Sequence, residues 1–151
     1  MSGILSRLFG REDDAPTNVP SSPEAAAAAL LVEAALADGV YADLESDRIA
    51  MILLESFDFD ADKADAILAE GETLAEEAVG AHEFTKHVKK LPMAQRASIV
   101  EGLYLVAFAD GEKCPIEDAF IRHVASLLYV DDVPRAQARQ RAEARSQETP
   151  N

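Results

Sequence analysis

The stretch that decides the fold is Leu103 to Ile121, "LYLVAFADGEKCPIEDAFI". A nearly apolar run stops at Ala109-Asp110-Gly111 and passes a short polar loop. It restarts at Pro115, with Glu117 seven residues after Asp110. Read locally, this is a helix, a loop and a second helix. Glycine suits the left-handed position that ends a helix, and proline suits the first position of the next. Glu117, near the third residue of the new helix, can reach back to the helix start and complements the positive end of its dipole. Asp110 is not explained this way. A carboxylate at the C-terminal end of a helix is disfavoured by about 0.3–1 kcal/mol. It calls for compensation from loop amides, a basic side chain or a cation.

The same pattern occurs earlier. Leu31 to Ile49, "LVEAALADGVYADLESDRI", aligns with the opening stretch at an offset of 72 residues. Leu31 meets Leu103, Ala35 meets Ala107, and Ala37-Asp38-Gly39 meets Ala109-Asp110-Gly111. Glu45 meets Glu117 and Ile49 meets Ile121, which makes seven identities in nineteen positions. Further on, Phe57 aligns with Tyr129. Two copies are too few for a solenoid. The expectation is one domain built from two similar helix–loop–helix halves in a pseudo-twofold relation.

The rest of the chain agrees with an all-α fold. Ser22 is a plausible N-cap, with Pro23 at the first helical position, Glu24 in the first turn, and Gly39 as the stop. The alanines after Glu24 read as helix propensity. A second helix starts near Asp43 with Ile49, Ile52, Leu53 and Phe57 as its apolar stripe. A third runs from about Ala61 to Val79, with Ala64, Ile67, Leu68 and Leu74 inward. A short one covers about His82 to Leu91, with Phe84, Val88 and Leu91 apolar. Pro92 breaks it and opens the next, which carries Met93, Ala97, Val100, Leu103, Tyr104 and Ala107 inward. Pro115 opens another, with Ile116, Phe120, Val124 and Leu128. A last helix, about Val133 to Arg145, is charged and Ala-rich, and its end is expected to fray. No stretch alternates as a strand would. The sum is a compact bundle of about seven helices over 23–147. Residues 1–22 form a short amphipathic segment and a flexible linker, and 148–151 a frayed tail.

Composition bounds the function. The chain has 151 residues, 28 of them acidic against 14 basic, for a net charge of −14. That surface repels nucleic acid, anionic lipid and oxyanions, and favours cations or basic partner surfaces. The single cysteine, Cys114, excludes an internal disulfide and a cysteine-rich metal cage. No run of about eighteen apolar residues exists to span a bilayer. The N-terminus lacks a secretory signal pattern, so the cytoplasm is expected. Residues 2–10 combine Ile4, Leu5, Leu8 and Phe9 with Arg7, flanked by Arg11. They pack on the domain or fray, or else make a weak membrane-surface contact.

The segments "ALLVEAALADGVYADLESDRI" and "GLYLVAFADGEKCPIEDAFIRHVASLL" resemble the two signature segments of the TerB family. The similarity covers about Ala25 to Val130. The family comprises small all-helical, tellurite-resistance-associated proteins and TerB-like relatives. The resemblance implies a bundle of about seven helices with internal duplication. It also implies a cytoplasmic or membrane-face accessory protein, often linked with metal-ion and stress-response systems. Acidic motif residues there are suspected metal ligands, which by position implicates Asp38, Glu45, Asp110 and Glu117. Ala42 and Cys114 stand where a serine or threonine cap is commoner, leaving these helix starts more dependent on the glutamates.

Should the two loops converge, four carboxylates would come together. All-oxygen ligation suits a divalent cation such as Ca²⁺ or Mg²⁺. The competing reading is that these acids serve only as caps and hydrogen-bond acceptors. "DFDADKADAILAE" (Asp58 to Glu70) imitates an EF-hand with Asp58, Asp60 and Asp62. It fails at Lys63, where glycine is required, and at Ala69, where the bidentate glutamate belongs. Asp60 or Asp62 is expected near a helix cap instead. His82 and His87 are five residues apart, off one helical face, and with His123 read as surface residues rather than zinc ligands. Cys114 reads as a loop residue, though Lys113 and the following helix start could activate its thiol. "HEFTKHVKK" (His82 to Lys90), the basic stretch, is a solvated face or a docking patch.

No phosphate loop, nucleophile elbow or triad is visible, so a non-enzymatic module that binds a protein partner is the leading expectation. A metal-assisted hydrolase using the same four acids is the alternative. A third reading has purely structural motifs, with partner binding on another face. Direct reduction of tellurite is physically awkward, because a −14 chain repels the anion and one thiol is too few.

Overall fold

Ser22 opens the first helix. Its hydroxyl oxygen accepts from the Ala25 amide at 3.1 Å, and its carbonyl accepts from the Ala26 amide at 3.1 Å. This is N-cap geometry with proline in the first helical position. The computed structural model describes residues 19–36, 43–77, 82–108 and 115–148. They contain seven helices: α1 (Pro23–Leu36), α2 (Asp43–Ser56), α3 (Ala61–Glu77), α4 (His82–Val88), α5 (Met93–Phe108), α6 (Pro115–Leu127) and α7 (Asp132–Glu148). Among the described residues there is no strand.

The free ends of the matched helices fall close to the offset found in the sequence: α5 begins at Met93, 70 positions after α1 begins at Pro23, and α6 ends at Leu127, 71 positions after α2 ends at Ser56. Helices α1 and α5 form the centre. Helix α1 is enclosed by α2, α3, α4 and α5, while α5 packs on α1, α2, α6 and α7. Of the α1 residues from Ala25 to Ala35, only Glu33 is not buried.

The alanine block does more than favour a helix. A Cβ added at Gly71 in α3 would lie 2.6 Å from the Ala28 Cβ and 2.9 Å from the backbone of Ala28 and Ala29. Small residues on both sides therefore set how closely α1 and α3 approach, and backbone on the far side leaves no room to adjust. Helix α7 uses a similar device. It is strongly polar, yet Ala138 and Ala142 are fully buried, and its main packing partner is α5. At Gly102 in α5, an added Cβ would meet the Ile52 Cγ2 at 2.7 Å and the Leu31 Cδ2 at 3.2 Å. Helices α1, α2 and α5 meet there.

Polar links fasten the outer helices. Arg96 donates through Nε to the Leu91 carbonyl (2.9 Å) and through Nη1 to the Leu128 carbonyl (2.7 Å). One side chain thus ties the ends of α4 and α6 to the first turn of α5. Glu101 accepts from Arg141 (2.7 Å) and Arg145 (2.8 Å), and Arg145 also reaches Glu55 in α2. Ser56 and Ser98 share a hydroxyl hydrogen bond of 2.6 Å between α2 and α5.

Several expectations need adjusting. Met93 is 44% exposed rather than inward, because it stands at the first residue of α5 and clear of the packed stripe that begins at Ile99. Helix α7 continues through Gln147 to Glu148, past the expected end at Arg145, where Arg145 is anchored to Glu101 and Glu55. At the end of the expected linker, Pro20 is buried, and Ser21 donates through its amide and hydroxyl to the Glu70 carboxylate at 2.8 and 2.7 Å. Residues 2–18, including the amphipathic segment, lie outside the described residues.

Candidate functional site

The expected site is framed by the described helices. Glu45 and Glu117 occupy the third position of α2 and α6, where a carboxylate complements the helix N-terminus. Asp38 and Asp110 lie outside the described residues, as do the side chains of Glu45 and Glu117. Cys114 and the His82 side chain also lie outside them. Among the described residues, no three His, Cys, Asp or Glu side chains gather in a way that could hold a metal ion.

The helices leading into the two loops differ in polarity. Glu33 lies five residues before Asp38, and its Oε1 is buried without a hydrogen-bond partner. Burial pushes its carboxyl pKa up. Arg48, three residues after Glu45, has a buried Nε that is likewise unpartnered. At the same offset of 72, the second copy carries Leu105 and Phe120. There the approach is aromatic. Tyr104 and Phe108 stack with centroids 5.9 Å apart, and the Arg135 Nη1 donates to the Tyr104 hydroxyl at 3.2 Å. That hydrogen bond is the main cause raising the Arg135 pKa; burial opposes it, and Asp132 and Asp118 add to it. The Arg139 guanidinium lies 6.0 Å from the Tyr104 ring centroid. On α6, Asp118 pairs with Arg122 at 3.0 Å.

The other acidic run is structural. The Asp60 Oδ1 accepts from the Lys63 amide at 2.8 Å and caps α3. The Lys63 ammonium lies 5.6 Å from the Phe59 ring centroid, and Phe59 stacks on Phe57 at 5.2 Å. In the basic stretch, burial and then Lys90 and Lys86 lower the His87 pKa.

Sequence reasoning did not find Glu33, Arg48 or the Tyr104–Arg135 pair. A signal was present for the first two. Both are charged residues in an otherwise apolar register, and both break the internal repeat.

Comparison with known proteins decides the family. The family model for tellurite resistance protein TerB matches residues 24–140, well over half of the chain. The chain belongs to the TerB family. The TerB match spans α1 to α6 and the first part of α7, so both Asp-Gly…Glu segments fall inside it. Neither a curated protein nor a solved structure matches the chain significantly. This TerB domain is tellurite-resistance-associated by family, and among its described residues no helix is long and apolar enough to cross a membrane.

Proposed function

We propose that the chain is a non-enzymatic TerB-type accessory module of the cytoplasm. In this reading it binds a protein partner in a stress response and takes a divalent cation, Ca²⁺ or Mg²⁺, at Asp38, Glu45, Asp110 and Glu117. The observation that carries the reading is the Asp-Gly…Glu segment repeated at an offset of 72, each copy set between two helices. Each copy places an aspartate where a helix dipole disfavours it and a glutamate where a dipole favours it. A cation shared between the two aspartates resolves the first and leaves the second undisturbed. Four carboxylates without nitrogen or sulfur suit a hard cation.

The test is thermal melting and calorimetry with Ca²⁺ and with Mg²⁺. At one hundred times its dissociation constant, a bound cation adds about 2.7 kcal/mol of stability. The double substitution Asp38→Asn with Asp110→Asn is expected to abolish that gain. No shift in the parent chain at millimolar cation would remove the proposal. Phosphatase or nuclease turnover that the double substitution abolishes would move the reading to a hydrolase.

A further inference from the structure

The turn after α6 contains the described residue whose conformation its side chain does least to favour. The Val130 amide donates to the Ala125 carbonyl at 2.9 Å, and the Tyr129 amide donates to the Ser126 carbonyl at 3.1 Å. This is the paired closure that ends a helix with one left-handed residue. That residue is Tyr129, with φ 60°. Glycine is the usual occupant, because a Cβ there is strained. The fold buries Val130, while the Tyr129 ring stays 63% exposed, with the Lys89 ammonium 5.0 Å from its centroid. A large aromatic kept at a strained and exposed position is a reason to look for a contact it makes.

Its surroundings define the chemistry. The Lys89 ammonium lies 5.0 Å from the ring centroid, so the ring already accepts a cation on a face. An open depression of about 730 Å³ runs from Tyr129 past Asp131 and Asp132 to Val133 and Pro134. Val133 is 66% exposed. The Asp132 side chain is 97% exposed, with Arg135 at 3.7 Å as an ion-pair partner. Arg135 itself is turned inward to the Tyr104 hydroxyl.

We propose that this turn is a docking surface for a basic, apolar-flanked segment of a protein partner. A Lys or Arg side chain lies between the Asp131 and Asp132 carboxylates, away from Lys89, and an adjacent apolar side chain packs on the Tyr129 ring, Val133 and Pro134. Charge complementarity selects this occupant: the exposed Asp131 and Asp132 border the depression, and a chain of net charge −14 steers basic segments in and turns nucleic acid and anionic lipid away. The proposal rests on reading the chain as a binding module. It names the surface and the class of partner.

The test is fluorescence polarisation of a labelled basic peptide, Ac-LRKLRL-amide, against the full chain at physiological salt without divalent cation. An acidic counterpart, Ac-LEELEL-amide, serves as control. Tyr129→Gly is expected to weaken basic-peptide binding by about tenfold, while Tyr129→Phe retains it. Asp131→Asn with Asp132→Asn weakens it as well. Glu76→Gln with Glu77→Gln, an equal change of charge on exposed α3 residues, leaves it unchanged. The melting temperature of Tyr129→Gly is not expected to fall, which separates lost contact from lost fold. Equal weakening by the two double substitutions, or full binding by Tyr129→Gly, overturns the proposal. Because no divalent cation is present, failure here leaves the cation titration standing, and failure of that titration leaves this result standing.

Discussion

Helices α1 and α2, set beside α5 and α6, share a register but not a chemistry. Where the first pair has Glu33 and Arg48, the second has Leu105 and Phe120. Where the first buries Phe57, the second exposes Tyr129. The positions that match, Leu31 with Leu103 and Ile49 with Ile121, are buried in both. The matched apolar positions lie in one core, and the two helix pairs differ where polar groups are half-sheltered or a ring meets solvent. Unsatisfied buried polar atoms are destabilising, and among the described residues they fall at Glu33 and Arg48, in the first pair.

The helix approaches give the largest expected break between the halves. Gly71→Ala drives a methyl group into the Ala28 and Ala29 backbone, and is expected to cost more than about 3 kcal/mol. Gly102→Ala meets the Ile52 Cγ2 methyl, a side-chain atom rather than backbone, which shifts only with χ1 of this β-branched residue, and is expected to cost about 1–3 kcal/mol. Urea unfolding of the two variants measures the gap. Equal midpoints would mean that the α1–α3 approach is as adaptable as the α5 crossing.

Next in size is the anchoring of α7. The Glu101 side chain is only 12% exposed and is shared by two arginines. Burial opposes the charge on Arg145, yet its hydrogen bonds to Glu101 and Glu55 raise its pKa on balance. Glu101→Gln is expected to cost about 1–2 kcal/mol, after discounting for the half-exposed arginines. It should also remove most of the salt dependence of α7 hydrogen exchange. Exchange that remains salt-sensitive in the variant would place the anchoring elsewhere.

Glu33 offers a finer test. A carboxyl whose folded-state pKa is raised binds its proton more readily in the folded chain than in the unfolded one. The penalty for ionising it is therefore absent below the unfolded pKa, near pH 4, and complete above the folded one. Glu33→Leu, which copies Leu105, is expected to stabilise the chain by about 1 kcal/mol at pH 8. The gain should shrink as pH falls toward 4. A gain independent of pH would mean that shape, not ionisation, sets the difference. Smallest is Tyr129→Gly, expected to add about 0.5–1 kcal/mol by relieving the left-handed residue.

Much of this fold could be read from residues with a local mechanism. Ser22 caps α1 through its hydroxyl, Asp60 caps α3, and Pro115 opens α6, each because it satisfies or spares a terminal amide. The stripes at Ile49, Ile52 and Leu53, and at Ile67 and Leu68, face the core because helical periodicity puts them on one side. What resisted reading was long-range. Alanine signals helix in any context, so nothing local showed that Ala28 would face Gly71 or that Ala142 would be sealed. Tyr129 carries no mark of a left-handed backbone. Of the candidate site, the positions of Glu45 and Glu117 at helix starts were legible, since caps are local. Asp38 and Asp110 lie outside the described residues, and convergence of loops 72 residues apart is a tertiary matter that local rules do not encode.

The enclosure of α1 has a consequence during synthesis. Its alanine and leucine surface leaves the ribosome before the helices that cover it, and α5, which closes one side of it, ends 72 residues later. At about 5–20 residues per second, the side that α5 covers stays open for roughly 4–14 seconds in each nascent chain. The interval is a window for chaperone capture, and it makes translation speed between Leu36 and Phe108 a determinant of soluble yield.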